Sequence, residues 1–553
     1  MHPLATRAAM AWQRYVTWRP LERMSHDPEA AQAAVLRRLT GANRDTTFGR
    51  RHGFVDIASH QVWVTRVPPQ QHDTLAPHIE RQRRTGETAL SAEAPSFYAQ
   101  TSGTSGTPKY IPVTPTMLRY HRDEQAAFSY LQYRACPAAY EGRAFGVMGA
   151  AVEDRLDSGH VVGSISGHLY SALPRAVRSR LVVPPEVAAI PDYDRRYQVL
   201  ALLALAAPDV TYAGSPNPST FVRLLEVLNA NRDTLLPALA AGRSTLVDSL
   251  PSAAGAAVVA RLRPDPERAR QLARLPAIGY DMLWPQLALL TTWTGGSCGI
   301  PLAALRSRLP RATRVMELGY QATECRGTLP LEAEVPSGLP PLNHHYFEFA
   351  RPSSWDTGNT TVVPLADLEL GRQYYVLVST AAGLYRYFMN DLVEVTGVFN
   401  RTPLLRFVQK GRGVTNVTGE KLYEGQAIAA VKAGCDAHGA VPAFFLLAAI
   451  EDPAGYRLYL ETASAGSGPL ATLASSIDRL LGELNIEYAA KRQSGRLRPL
   501  EVVRLRAGAA DAYRTACVGA GQREGQLKPP ALAYRRTLLA DLDAYAATPG
   551  EAA

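Results

Sequence analysis

The stretch of sequence that decides the fold is residues 98–110, which read YAQTSGTSGTPKY. Hydroxyl groups and glycines dominate it, and a lysine stands near its end. Such a composition suits a packed core poorly, whereas glycine lets backbone N–H groups approach an anion and hydroxyls add further donors. The stretch therefore predicts a loop that wraps a polyphosphate, with the candidate residues Thr101, Ser102, Gly103, Thr104, Ser105, Gly106, Thr107 and Lys109.

This loop differs from the phosphate loop of GTPases and related ATPases. That motif needs the spacing G-x-x-x-x-G-K-[ST], and Gly103 and Gly106 are too close together for it. A solvated linker rich in Ser, Thr and Gly has the same composition. The choice between a binding loop and a linker depends on the flanking sequence and on three further segments.

Length and composition indicate a globular protein with more than one domain. The chain has 553 residues, too many for one hydrophobic core, and its apolar content of 46% and charged content of 20% are typical of soluble proteins. Its five cysteines lie far apart without a C-x-x-C pair, which excludes a zinc ribbon and favours a reducing cytoplasm. The apolar runs are too short to cross a bilayer, so we expect no membrane partner.

The net charge of +9 raises the question of nucleic-acid binding. The arginines are spread along the chain, and no zinc-finger, RNA-recognition or basic-zipper pattern accompanies them. Ordinary surface charge explains this balance better, and a modest positive field also suits an enzyme whose reactants are anions. We therefore expect no nucleic-acid partner.

Hydrophobic periodicity divides the chain into three regions. Up to Gly319, helices alternate with short strands, as in α/β layers with sites at strand ends. From His345 to Val408 the pattern is rich in strands, and after Gly411 helices and strands alternate again, so a domain boundary is expected near residue 410. The predicted helices include residues 28–41, 197–207, 219–229, 424–433 and 470–484, and the predicted strands include residues 145–148, 210–212, 288–293, 313–318, 373–379 and 391–396.

A second informative segment, residues 317–325, reads ELGYQATEC. The ring of Tyr320 can stack on a nucleotide base, the hydroxyl of Thr323 can bond a phosphate, and the carboxylate of Glu324 can hold Mg²⁺. On its own the segment is a weak signal, because an aromatic residue is more often part of the core. A glycine turn, Gly295 and Gly296, stands upstream of it.

Two more segments place charged residues at informative positions. Residues 383–393 read GLYRYFMNDLV and contain the carboxylate of Asp391, a residue that a turn at a strand edge would also use. Lys410 ends the run FVQK, near the expected domain boundary. Lys528 lies in GQLKPP, residues 525–530, where an ordinary surface lysine is the alternative.

These segments, in this order, resemble the auxin-responsive acyl acid amido synthetases of the Gretchen Hagen type, a branch of the adenylate-forming superfamily. The likeness includes NRDTTFGRRHGF at residues 43–54 and runs from about residue 28 to 535. Family members usually read Y-R-Y-R-x-G-D-x-V in the third segment, and here Phe388 replaces the arginine and Asn390 the glycine. Asn tolerates a left-handed backbone, so we expect that turn to survive. Lys410 stands where the family has arginine.

The resemblance implies a role for each candidate residue. With ATP and Mg²⁺ as cofactors, the loop Ser102–Thr107 would hold the β- and γ-phosphates and Glu324 the metal ion. Thr323 would hold the α-phosphate and Asp391 the ribose. Lys528 would be the mobile catalytic lysine that neutralises charge on the reacting oxygens. The remaining nucleotide-binding candidates are Thr101, Lys109, Gly295, Gly296, Tyr320 and Lys410.

The resemblance also implies the architecture. The fold class is α/β in the mixed α+β sense, with a large domain over residues 1–409 that contains layered α/β subdomains and a β-barrel-like subdomain. A hinge at residues 410–412 leads to a small mobile α+β domain over residues 413–553, which carries the lysine loop.

The implied function is that of an ATP-dependent amido synthetase. It activates a small carboxylic acid as acyl-AMP, releases pyrophosphate and transfers the acyl group to an amine, expected to be an amino acid. An acyl-CoA ligase makes the same adenylate, and a non-catalytic nucleotide-binding protein would explain the departures at Phe388, Asn390 and Lys410. We expect a cytoplasmic monomer or weak dimer.

The base that accepts the amine proton is not evident from the sequence. His160 and His168, and also His121, are candidates, but a lone histidine is more often structural. The identities of the acid and the amine stay open.

Overall fold

The protein is described by a computed structural model. It covers residues 3–101, 109–295, 298–355, 361–411, 413–415, 417–418, 420, 422–464, 469–493, 495–520, 527 and 529–547. By contacts, the chain divides into two compact units. The larger unit contains most of the chain up to Phe407, and the smaller unit contains Thr294–Ser307 and the part that begins at Val408.

The strands of the described part form five sheets. In chain order they are β1 (Phe97–Thr101), β2 (Lys109–Val113), β3 (Arg143–Gly146), β4 (Asp154–Arg155), β5 (Val161–Val162), β6 (Val210–Gly214), β7 (Leu289–Thr292), β8 (Arg314–Glu317), β9 (Leu329–Pro330), β10 (Gly338–Leu339), β11 (Tyr346–Ala350), β12 (Val363–Pro364), β13 (Gln373–Ser379), β14 (Tyr387–Phe399), β15 (Thr402–Lys410), β16 (Val414–Thr415), β17 (Leu422–Tyr423), β18 (Val441–Ile450), β19 (Gly455–Ser464), β20 (Glu501–Arg504) and β21 (Leu532–Tyr534).

Many helices begin at capping residues that the sequence provides. Asp27 accepts the Ala30 N–H before a proline, and Thr114 accepts the Met117 N–H in the same way. The helices are α1 (Pro3–Gln13), α2 (Arg19–Met24), α3 (Pro28–Ala42), α4 (Thr47–Arg51), α5 (His60–Arg66), α6 (His72–Thr85), α7 (Pro115–Ala135), α8 (Ile165–Ser171), α9 (Arg175–Arg178), α10 (Tyr193–Leu205), α11 (Ser219–Ala230), α12 (Arg232–Ala241), α13 (Thr245–Asp248), α14 (Ser252–Val259), α15 (Pro266–Ala273), α16 (Tyr280–Leu283), α17 (Gly299–Arg306), α18 (Pro352–Trp355), α19 (Glu424–Ala437), α20 (Leu470–Leu484), α21 (Ile486–Gln493) and α22 (Ala509–Gly519). Within the described residues, none of these helices has the length and apolar character to span a bilayer.

A parallel sheet with the order β3-β6-β7-β8 stands in the larger unit. The central strand β7 is fully buried and its neighbours β6 and β8 are largely buried, as expected for parallel strands covered by helices, whereas the edge strand β3 is partly exposed. Because all four strands run in the same direction, Gly214, Thr292 and Glu317 end at one edge. In α/β proteins this edge is where ligands bind, and the segment 317–325 begins there.

A hairpin of β1 and β2 brackets the glycine- and hydroxyl-rich stretch. The two strands are antiparallel, and Thr101 lies opposite Lys109. The sequence predicts one loop over residues 98–110, and the structure corrects that extent, since the first and last residues of this stretch belong to strands. The ends form strands because they are packed in the core: Tyr98 and Ala99 are fully buried, and Ile111 is nearly so.

The largest sheet has seven strands in the order β12-β11-β13-β14-β15-β10-β9. A buried ion pair supports it: Arg386 Nε donates to Glu348 Oε1 at 3.0 Å, with both side chains at most 2% exposed. The Arg386 guanidinium also donates to the carbonyl oxygen of Val67 at 2.6 Å, just after α5. The pair thereby joins the start of β14 to the N-terminal helices.

The smaller unit has its own hydrophobic core. Its sheet has the order β20-β19-β18-β21, and α19 and α20 contribute buried side chains to the same core. Leu447, Leu458 and Ile477 are fully buried there. Helices and strands both occur in this part of the chain, as the hydrophobic pattern after Gly411 predicts.

Candidate active site

The segment after β8 forms a tight turn that presents Tyr320. The N–H groups of Gly327 and Thr328 both donate to the Tyr320 carbonyl oxygen, and Thr328 Oγ1 accepts the Tyr320 N–H. Gly319 enters the turn with φ +97°, a conformation that favours glycine. The ring of Tyr320 then lies close to Gly327, where a Cβ would stand 2.1 Å from it.

Tyr320 and Asp391 meet although 71 residues separate them in sequence. The Tyr320 hydroxyl donates to Asp391 Oδ2 at 2.7 Å, and both side chains are buried. Burial, with the nearby Asp391 carboxylate as the next cause, raises the pKa of Tyr320 well above its usual value. The hydroxyl therefore stays protonated and acts as a donor. The structure thus brings together two segments that the sequence analysis selected separately.

The ring of Tyr320 stacks on Phe407 with a centroid distance of 5.8 Å and an interplanar angle of 15°. The ring has Gly327 and Phe407 as neighbours in this structure. Stacking of Tyr320 on a nucleotide base stays a prediction.

A bulge in β14 places Asp391. Leu377 pairs with Phe388 and Tyr375 with Leu392, so four steps along β14 oppose two along β13. Asn390 lies in this interval with φ +53°, which confirms that asparagine keeps the left-handed turn. Extra residues of this kind re-aim side chains next to binding sites.

Phe388, which replaces the family's arginine, packs among aromatic rings. It stacks on Trp355 with a centroid distance of 4.7 Å and meets Tyr375 edge-on at 5.4 Å. The departure therefore exchanges a cation for an apolar contact between β14 and α18.

Glu324 faces Tyr387, a residue that the sequence analysis did not select. Burial, followed by the charges of Glu324 and Asp391, raises the pKa of Tyr387, and a hydrogen bond to Glu324 acts in the same direction. Glu324 is partly exposed and Thr323 is buried. Mg²⁺ in nucleotide sites is bound by one or two carboxylates together with substrate phosphates, so the partly exposed Glu324 carboxylate fits a metal ion. In the sequence, the one feature that points to Tyr387 as a site residue is its position in the segment 383–393, which also contains Asp391.

Only the ends of the predicted phosphate loop are described. Thr101 ends β1, and Lys109 begins β2. Burial and, second, the charge of Lys109 lower the pKa of His72, so the lysine lies near the start of α6. Outside the described residues lie Ser102, Gly103, Thr104, Ser105, Gly106 and Thr107.

The remaining candidates belong to the smaller unit. The Gly295 carbonyl oxygen accepts the Cys298 N–H at 3.3 Å, just before α17. Lys410 is the last residue of β15. Gly296 and Lys528 lie outside the described residues.

Two of the candidate bases lie along β1. His168 stacks on Phe97 with a centroid distance of 3.8 Å, and burial lowers its pKa. His160 meets Tyr98 edge-on at 5.4 Å. Both therefore line the strand that leads into the predicted phosphate loop.

His121 has a different environment, because it lies in a buried charge cluster. Its Nδ1 stands 3.3 Å from Glu124, which also has His344 and His345 at 3.1 and 3.0 Å. Glu124 is 2% exposed. A structural role explains His121 better than proton transfer from an amine.

Family comparisons cover three consecutive parts of the chain. The GH3 family N-terminal domain matches residues 18–312, the GH3 family central domain residues 339–410 and the GH3 family C-terminal domain residues 425–537. The chain belongs to the GH3 family. The resemblance drawn from the four segments is thereby confirmed.

Relatives of this GH3 chain agree with that assignment. Indole-3-acetic acid-amido synthetase GH3.8 of Oryza sativa subsp. indica is 25% identical over 546 residues, which cover 92% of this chain and 89% of the rice protein. The structure of AtGH3.15 acyl acid amido synthetase in complex with 2,4-DB matches with a TM-score of 0.84 at 21% identity, over 99% of this chain and 97% of that one. A 2-hydroxyisobutyryl-CoA ligase with 2-HIB-AMP matches with a TM-score of 0.52 at 14% identity, over 86% and 85%. The two structures confirm the predicted mixed α/β fold.

Replacement of Gly327 by alanine tests whether the position of the Tyr320 ring matters for nucleotide binding in this GH3 chain. In Gly327→Ala the added carbon would stand 2.1 Å from the Tyr320 ring, so the ring must move and its hydrogen bond to Asp391 breaks. We expect ATP affinity to fall about tenfold, equivalent to one lost hydrogen bond of about 1.4 kcal/mol. Calorimetric titration of each variant with ATP measures this affinity. Gly397→Ala is the matched control, since its Cβ meets only Leu404 at 3.7 Å. Equal affinity in both variants would contradict a role for the Tyr320 position.

Proposed function

We propose that this GH3 protein is an ATP-dependent acyl acid amido synthetase that acts in the cytoplasm. It activates a small carboxylic acid as acyl-AMP with release of pyrophosphate, then transfers the acyl group to the amine of an amino acid. The prediction of an amide-forming ligase is confirmed at the level of the family and of its named relatives. The acid and the amine of this chain are left open.

The observation that carries the proposal is the cluster of Tyr320, Asp391, Glu324 and Tyr387. Residues from the edge of the parallel sheet and from the bulge of β14 meet there, with Asp391 buried and Glu324 partly exposed. A carboxylate held by a tyrosine hydroxyl suits the fixed geometry of a ribose site, and a second carboxylate within reach of solvent suits a metal ion. Such a site neutralises and positions phosphates, which is most of what adenylation needs.

The main candidate residues have defined tasks in this proposal. Asp391 accepts hydrogen bonds from the ribose hydroxyls, and Tyr320 fixes the orientation of its carboxylate. Thr323 donates to the α-phosphate, and Glu324 would hold Mg²⁺, which offsets phosphate charge when bound. The loop Ser102–Thr107 holds the β- and γ-phosphates. Lys528 donates to the oxygens that develop charge in the displacement.

Adenylation and acyl transfer take place at the same nucleotide site, so the residues around that site must change between the two steps. We assign residues 1–409 to the large domain, 410–412 to a hinge and 413–553 to a small domain that carries Lys528. Rotation about the hinge would withdraw Lys528 after adenylation and admit the amine. A monomer is sufficient for this cycle.

Product analysis tests the proposed function. The protein is incubated with ATP, Mg²⁺ and a panel of carboxylic acids, with either pooled amino acids or CoA as acceptor. We expect acid-dependent release of pyrophosphate, faster AMP formation with amino acids, and a product mass of acid plus amino acid minus water. A thioester product would identify an acyl-CoA ligase instead. ATP binding without acid-dependent turnover would identify a non-catalytic nucleotide-binding protein.

A further inference from the structure

The N-terminal helix α1 and the turn after it carry an apolar stripe on their solvent side. Its members recur at intervals of three or four residues, at positions 4, 8, 11 or 12, and 15 or 16, so they share one face of the helix. Large side chains within it are unusually exposed, at 67% for Trp12 and 63% for Tyr15. The exposed residues of this surface, here the N-terminal stripe, are Leu4, Ala8, Ala11, Trp12, Tyr15 and Val16.

The opposite side of the helix already has its packing partner. Thr6 and Met10 are buried on that side, and α1 packs against α7. The following turn, Arg14–Trp18, is π-helical, and within it Trp18 enters the core at 1% exposure while Tyr15 stays at the surface. Such turns are rare and frequently mark functional positions. The N-terminal stripe is therefore a second apolar face, separate from the one that holds the helix to the protein.

Basic side chains accompany the N-terminal stripe. Arg7, Arg14, Arg19 and Arg23 are all exposed. Glu22 is the only carboxylate among residues 3–24, so four arginines against one glutamate leave a charge of +3. The segment thus combines exposed aromatic and aliphatic groups with a positive surround.

We propose that the N-terminal stripe docks on an anionic lipid surface. Trp and Tyr place an apolar ring and a polar tip at the level of lipid headgroups, and arginines are attracted by anionic lipid. A second copy of the chain is a poorer partner, because it would set one +3 segment against another. The stripe also precedes residue 18, where the match to the GH3 N-terminal domain begins, and contains none of the nucleotide-site candidates.

This inference departs from the expectation of no membrane partner and goes beyond the proposed function. That expectation came from the absence of an apolar run long enough to cross a bilayer. Docking on a surface needs only one apolar helix face, such as the exposed face of α1.

Vesicle sedimentation of the full chain tests the proposal. Vesicles of phosphatidylcholine alone are compared with vesicles that contain about a third phosphatidylserine. We expect at least about tenfold tighter binding to the anionic vesicles, weakened by salt. Trp12→Ser combined with Tyr15→Ser should reduce that binding at least about tenfold. The matched control is Val55→Ser with Leu370→Ser, since these side chains are 75% and 67% exposed elsewhere on the larger unit.

Folding of each variant is checked by ATP binding and by pyrophosphate release with a water-soluble acid, which should not change. Failure of the unmodified chain to bind anionic vesicles would overturn the proposal, and so would equal binding by the stripe and control variants. A third outcome is that the unmodified chain forms a dimer but does not bind vesicles, and that the variant with Trp12→Ser and Tyr15→Ser is monomeric. That outcome would overturn the proposal and identify the stripe as a self-association surface. Binding to polyglutamate but not to vesicles would indicate an acidic protein partner instead.

Discussion

Replacement of Glu324 by glutamine should lower acid-dependent pyrophosphate release by about a thousandfold, the scale of losing one preorganised charge-stabilising group. The amide keeps the size of the side chain and can still bond the Tyr387 hydroxyl, but it removes the charge that would hold Mg²⁺. The loss should appear in kcat, since charge on the phosphates develops most strongly in the displacement step. Steady-state pyrophosphate assays with saturating ATP and acid measure it.

Glu332→Gln is the matched control for this variant, because it removes an exposed carboxylate eight positions away in sequence. It should behave like the unmodified protein at every Mg²⁺ concentration. A Glu324→Gln enzyme with activity within threefold of normal would remove Glu324 from the metal site. The Tyr387 contact would then be structural only.

The elements with a single clear periodicity could be predicted from the sequence. The helix predicted over 470–484 is observed as α20, and Leu473, Ile477 and Leu481 form its buried face at helical spacing. The strand predicted over 373–379 is observed as β13, in which the six residues from Tyr374 to Ser379 are buried. In both cases one local pattern and the tertiary packing favour the same structure.

The elements around the candidate site were harder to predict because their backbone departs from regular periodicity. The strand expected at 391–396 begins at Tyr387 in β14, because Asn390 continues the strand through a bulge instead of ending a turn. The hairpin of β1 and β2 was missed because its composition is that of a loop, whereas burial of Tyr98 and Ala99 decides its structure. Local sequence carries little information about such long-range packing.

The site itself could be selected only segment by segment. Tyr320 and Asp391 were both chosen, but their hydrogen bond follows from the sheet edge and the bulge, which no spacing in the sequence reports. Tyr387 was not chosen, since a tyrosine in a strand is far more often a packing residue. What reveals it is the carboxylate beside its hydroxyl.

Removal of the Arg386 cation should destabilise the larger unit by about 3–5 kcal/mol, because Arg386→Met leaves the Glu348 carboxylate buried without its partner. The neighbouring Trp63 indole donates to Glu348 Oε2 at 3.0 Å but carries no charge to replace the guanidinium. Urea unfolding followed by tryptophan fluorescence is selective for this unit, since all six tryptophans lie between Trp12 and Trp355 in its part of the chain.

Two further variants separate the buried charge from the loss of packing. Arg372→Met removes an arginine with a 68% exposed side chain, paired with Glu369 at 3.7 Å, and should change stability by less than about 0.5 kcal/mol. Arg386→Met combined with Glu348→Gln should be more stable than Arg386→Met alone, because no buried charge remains and glutamine still accepts from Trp63. Because Arg386 precedes the bulge that places Asp391, the single variant should also bind ATP less tightly. Equal stability of Arg386→Met and Arg372→Met would show that the buried pair does not hold β14 to the helices.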